Sequence, residues 1–185
     1  GAIAGPLPHA RSVRRALAQA RQEWAQALLA AGKVEEARVA FDDALLTRQQ
    51  LVQESSTNEQ LRADLAQSQS AAGDLFAAAG KLADAERIWN KALATLEEGL
   101  KANPNSIPFR TSLTERLVYV ANQEAQYGLW DRAAERYRKA LAIQAPTLPI
   151  YWNFMAMVGA ETRDAEIQRA AAKLAANGTE TTGDA

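Results

Sequence analysis

The side chains in this sequence that could do chemistry are few, and most of them stand in adjacent pairs. Glu35-Glu36, Asp42-Asp43 and Glu97-Glu98 are paired carboxylates, the groups that acid/base hydrolysis uses. Catalysis would need one carboxyl kept protonated and the other ionised, which takes a pocket that separates their environments. Helix neighbours point about 100° apart and both reach water, so these pairs read as solvated faces. The single histidine, His9, sits beside Gly5, Pro6 and Pro8 and reads as a solvated leader residue. There is no cysteine, no glycine-rich phosphate loop, no metal-ligand spacing and no nucleophile with a base. The expectation is a chain with no catalytic residues, no cofactor and no metal.

Charge is informative in one place only. The net charge is −1 over 185 residues, with no general case for nucleic acid, and no apolar run approaches the ~20 residues of a membrane span. Arg11, Arg14, Arg15 and Arg21 form a local basic cluster near the start. Arg14 returns as Arg62 and Arg110 at equal intervals, which favours pairing with acids of an adjacent helix over an acidic-partner site.

Interval is the main message of the chain. Gly32, Gly80 and Gly128 stand 48 residues apart, each followed at fixed offsets by an alanine (Ala37, Ala85, Ala133), an aromatic (Phe41, Trp89, Tyr137) and an Ala-Leu pair (Ala44-Leu45, Ala92-Leu93, Ala140-Leu141). Offsets of five, nine and twelve differ by three or four, so these residues share one face of a helix that begins after each glycine. The glycine itself ends the preceding helix, because it takes positive φ without penalty. Small residues allow close helix approach and the ring fills the space between them. The outgoing helices repeat as well, through Val13, Leu61 and Phe109 and through Leu17, Leu65 and Leu113.

Gly32-Lys33-Val34-Glu35-Glu36-Ala37, Gly80-Lys81-Leu82-Ala83-Asp84-Ala85 and Gly128-Leu129-Trp130-Asp131-Arg132-Ala133 resemble the second half of tetratricopeptide repeats, and the likeness continues through the aromatic and the Ala-Leu pair. The period departs from the family's usual unit of about 34 residues; helices longer by about two turns each absorb the excess. The resemblance implies an all-α, right-handed α-solenoid of antiparallel helix pairs, with three repeats over about residues 10–57, 58–105 and 106–148. A short capping pair would follow over 149–176, since end repeats of solenoids are atypical. Residues 1–9 read as an irregular leader and 177–185 as a disordered tail. Val13, Leu17, Trp24 and Leu28 are expected to form a core-facing stripe on the first helix, and Trp152 to be the exposed tryptophan. A first residue that is not methionine suggests a module of a larger protein.

The same resemblance implies that the first helix of each pair lines a concave surface. Counting back from the glycines places Gln19, Gln22 and Gln26 there in the first repeat, Gln67, Ser70 and Asp74 in the second, and Glu115, Tyr119, Asn122 and Gln126 in the third. Such a groove is polar and mostly uncharged, with amides that both donate and accept, which suits an extended peptide. Only Asn122 matches the set that clamps a terminal carboxylate in chaperone-binding members, so that mode is not expected. The function expected is a non-catalytic scaffold for a peptide or protein partner. The alternative is self-association through apolar residues of the cap, Tyr151, Trp152, Phe154, Met155 and Met157.

Overall fold

The computed structural model describes the backbone of residues 8–144 and 150–180, and the side chains of residues 10–144 and 152–176. The chain divides into two compact units, Gly1–Ala102 and Asn103–Ala185. The first contains α1 (Pro8–Ala30), α2 (Val34–Glu54), α3 (Glu59–Ala78) and α4 (Leu82–Ala102). The second contains α5 (Ile107–Gln126), α6 (Trp130–Ile143), α7 (Ile150–Glu161) and α8 (Ala165–Glu180). In each unit, helices pair in sequence order: α1 on α2 and α3 on α4, then α5 on α6 and α7 on α8. Within the first unit α2 packs on α3; within the second both α5 and α6 pack on α7. The described residues hold no strand, and the architecture is an all-α repeat of helix pairs.

The three glycines make one turn three times over. Gly32, Gly80 and Gly128 have φ of 76°, 74° and 73°. The amide after each glycine reaches back five residues: Lys33 to the Leu28 carbonyl at 2.9 Å, Lys81 to Phe76 at 2.8 Å and Leu129 to Glu124 at 2.9 Å. This backward bond satisfies a carbonyl that the helix end would otherwise leave open. The fourth turn is built alike without a glycine, for Asp164 N–H reaches the Gly159 carbonyl at 2.9 Å while Arg163 takes the left-handed position at φ 56°. Helix starts repeat as well. Asn58 caps α3 by accepting from Leu61 N–H at 3.1 Å, and Ser106, one period later, caps α5 through Phe109 N–H at 3.4 Å.

Phe41, Trp89 and Tyr137 are fully buried, as the shared helix face requires. Phe41 also meets Phe76 at a centroid distance of 5.8 Å, tying α2 to α3. The ring at each site is matched by a small residue one helix earlier: Ala25, Gly73 and Ala121 occupy the same place in the 48-residue register and are all buried. Where the ring is largest, the small residue is smallest.

Four expectations change. The stripe on α1 exists, but it turns outward: Val13, Leu17 and Trp24 are exposed, Trp24 by 61%, and only Leu28 is buried. The buried face of α1 is instead Ala18, Gln22, Ala25 and Leu28, because α2 is approached through alanines. Trp24 rather than Trp152 is thus the exposed tryptophan; Trp152 is half-buried, Met155 is buried, and Tyr151's side chain lies outside the described residues. Helix α1 begins at Pro8, inside the expected leader, since proline suits a first helical turn; residues 1–7 and the His9 side chain lie outside the described residues. Helix α8 continues to Glu180, past the expected limit of the cap, and residues 181–185 lie outside the described residues.

Candidate functional site

Arg14, one of the four arginines of the basic cluster, belongs to the repeated column and is engaged within the fold. Arg14 on α1 donates to both Glu54 carboxylate oxygens at 2.6 and 2.7 Å and to Gln50 at 3.3 Å; Arg62, one period on, donates to Glu98 at 3.1 Å. Gln50 and Glu98 are themselves 48 residues apart. Arg62 and Arg110 also bond the carbonyls of Ser56 and Pro104, again one period apart, at 3.2 and 2.9 Å. This column holds linkers and paired helices together. Arg21 is likewise engaged, with Thr47 Oγ1 at 3.3 Å.

The expected groove residues fall into two groups. Some are spent inside their own repeat. Trp89 Nε1 donates to Asp74 Oδ1 at 2.8 Å, and one period later the Tyr137 hydroxyl donates to Asn122 Oδ1. Both groove positions therefore anchor the buried ring of the following helix, and Asn122 is itself buried. Gln26 holds the same position in the first repeat, where Phe41 has nothing to donate. Ser70 is buried, whereas Glu115 and Gln126 are exposed and Tyr119 lies under the Arg116 guanidinium, 4.8 Å from its centroid. These α5 residues belong to the second unit.

The other group, Gln19, Gln22 and Gln67, comes together with residues that the groove reading did not include. A pocket of about 410 Å³ opens among α1, α2 and α3, lined by these three amides with Arg15, Arg48, Asp64 and Ser68. Arg48, on α2, is only 7% exposed. Its Nη2 donates to Gln19 Oε1 at 2.8 Å and to Gln22 Oε1 at 3.4 Å, and its Nε–H has no acceptor. Asp64, the one carboxylate of the lining, is ion-paired with Arg15 and accepts from Gln60 at 2.8 Å. The positive charge of Arg48 is consequently met by neutral amides. Burial pushes its pKa down from the ordinary arginine value, Asp64 works against that fall and Arg15 adds to it.

A sequence signal for Arg48 exists in the register. Its equivalent one period later is Leu96, a buried core residue, and Gln22 corresponds to Ser70 and Val118. A charge standing where the sister repeat has leucine breaks the local pattern, and such breaks concentrate at functional sites. Among the described residues no cluster of three or more His, Cys, Asp or Glu side chains could hold a metal, and no helix is long and apolar enough to cross a membrane.

The fold and this pocket define a class, an all-α helical-repeat protein with a polar, positively charged recess in its first unit. No family model matches the chain, and no curated protein matches it.

Proposed function

We propose that this chain is a non-catalytic protein-interaction scaffold of the tetratricopeptide-like kind, taking an extended peptide segment of a partner along the α1 and α3 side of its first unit. The observation that carries the reading is the convergence of Gln19, Gln22 and Gln67 on one open pocket. Amide side chains offer both donors and acceptors to a peptide backbone, which brings one of each per residue. The like glycine turns of the first three pairs and the ring-to-helix bonds of the second and third support the scaffold half of the proposal, because successive pairs are stiffened by the same devices. The test is selection of binders from a displayed random-peptide library on the full chain, followed by Gln22→Ala and Gln67→Ala. Peptides that bind the wild type and weaken with both substitutions are expected. Binders indifferent to both, or none at all, would remove the reading.

A second reading, association between copies, is favoured by the outward stripe of α1. Val13, Leu17 and Trp24 lie within about 40° of one another around the helix, and the residues one period later, Leu61, Leu65 and Ala72, are buried. Leu61 and Leu65 are covered by Leu45, Leu51 and Val52 of the preceding helix pair. A second copy that laid an equivalent helix face on α1 would cover the stripe. Sedimentation across a concentration series decides this: a mass that rises with concentration and reverts in Trp24→Ser supports it, and a monomer throughout excludes it.

A further inference from the structure

We infer that the pocket around Arg48 is an oxyanion site, holding a single carboxylate or phosphoryl group borne by the ligand. A buried guanidinium loses most of its hydration, and proteins compensate with a carboxylate or a full set of acceptors. Arg48 has neither. Two of its bonds go to neutral amide oxygens, one of them long at 3.4 Å, its Nε–H is buried without an acceptor, and Arg48 lines the recess of about 410 Å³.

Its surroundings are arranged to keep that charge open. Asp64 would be the natural partner, but Arg15 and Gln60 occupy it. Gln19 Nε2 is turned to Glu23 at 2.9 Å, which presents the Gln19 oxygen to Arg48 and fixes the guanidinium plane. The amide of Gln67 lines the same space and can donate to a further oxygen of the anion, while the Ser68 hydroxyl beside it is committed to the Asp64 carbonyl at 2.7 Å. An arginine fork matches the planar two-oxygen face of a carboxylate, and matches two oxygens of a phosphoryl group equally well. Leu96 at the equivalent place in the next repeat shows that the packing position itself has no need of a charge. Of the three register positions, Arg48, Leu96 and Gln144, only the first carries a charge.

This inference rests on the interaction reading only for what carries the anion; the recess can be probed without any peptide. Acetate and inorganic phosphate are titrated into the full chain, with chloride at matched ionic strength as reference, while side-chain Nε–H resonances of ¹⁵N-labelled arginines are followed. The Arg48 signal is identified by its loss in Arg48→Leu. A saturable shift of that signal alone is expected, larger with acetate if the natural group is a carboxylate and larger with phosphate if it is a phosphoryl group. Arg48→Leu, which copies the residue of the next repeat, is expected to keep its helical content and melting temperature while losing the response. Shifts no larger than those of exposed Arg87, or equal shifts with chloride, would overturn the site. In a peptide selection, acid-containing binders should weaken about tenfold or more in Arg48→Leu. Binders unaffected by that change leave the interaction reading standing and defeat the oxyanion site. Anion shifts without any peptide binder do the reverse.

Discussion

Trp89 fills the space that a side chain on Gly73 would occupy. A Cβ built on Gly73 would lie 2.6 Å from the indole nitrogen, with ring carbon Cδ1 closer still and Cγ at 3.1 Å, and that nitrogen is held by Asp74 at 2.8 Å. The ring cannot tilt away without losing its bond. In the flanking repeats the register partners are Ala25 with Phe41 and Ala121 with Tyr137, so the volume removed from one helix reappears on the next.

Gly73→Ala should therefore destabilise α3 and α4, although helix propensity alone would favour alanine by about 1 kcal/mol. Overpacking costs about 1–3 kcal/mol, which leaves a net loss of up to ~2 kcal/mol. Adding Trp89→Phe recreates the pair of the first repeat and should recover most of it. Urea unfolding of both singles and the double gives the coupling energy; additive effects would mean the two sites do not share this space.

The fourth turn offers the opposite sign. Arg163 holds the left-handed conformation that glycine holds at the other three turns, at a cost of about 1–2 kcal/mol for a side-chain-bearing residue. Arg163→Gly should stabilise the α7–α8 pair by up to ~1 kcal/mol, after the extra unfolded-state freedom of glycine is subtracted. Slower hydrogen exchange of α8 amides is the expected readout, and faster exchange would show that Arg163 makes compensating contacts.

Asp164 gives that same pair a pH dependence. Its carboxylate accepts from the Ile167 and Glu166 amides at 3.1 and 3.0 Å and from Arg138 Nε at 2.9 Å. The bond from Ile167 and then that from Arg138 lower its pKa, burial opposes them, and the Glu166 amide lowers it further. A lowered carboxyl contributes stability above its unfolded pKa of about 3.9, and loses it as pH falls through the lower folded value. Exchange protection of α8 should accordingly drop on acidification below about pH 4. Asp164→Asn should be less protected at pH 7 and flatter with pH.

Glu124 is a buried acid held by two arginines. It is 1% exposed and lies 2.7 Å from Arg136 Nε and 3.0 Å from Arg132. Its register partners, Leu28 and Phe76, are buried and apolar. Glu124→Ala leaves Arg136, itself largely buried, without its carboxylate, and should cost about 3–5 kcal/mol. Glu124→Leu with Arg136→Leu should lose much less. Thermal melts of the single and double variants check the difference; equal losses would mean that the ion pair is not what holds α5 to α6.

Much of this protein was legible in its residues before any coordinates. The helix ends at the glycines, the glycine turns and the buried rings follow from local rules: a positive φ, a backward amide bond and a period near 3.6 are all set within a few residues of sequence. Even Arg48 was accessible by setting it against Leu96. What the chain could not decide alone was which helix faces are covered. The Val13, Leu17 and Trp24 stripe has the spacing of a core face, yet it is open because none of the described helices lies over it. Asn122 has the chemistry of a binding residue, yet Tyr137 claims it. Burial and pairing depend on neighbours brought in from 15 to 50 positions away, and only the packed tertiary structure supplies those.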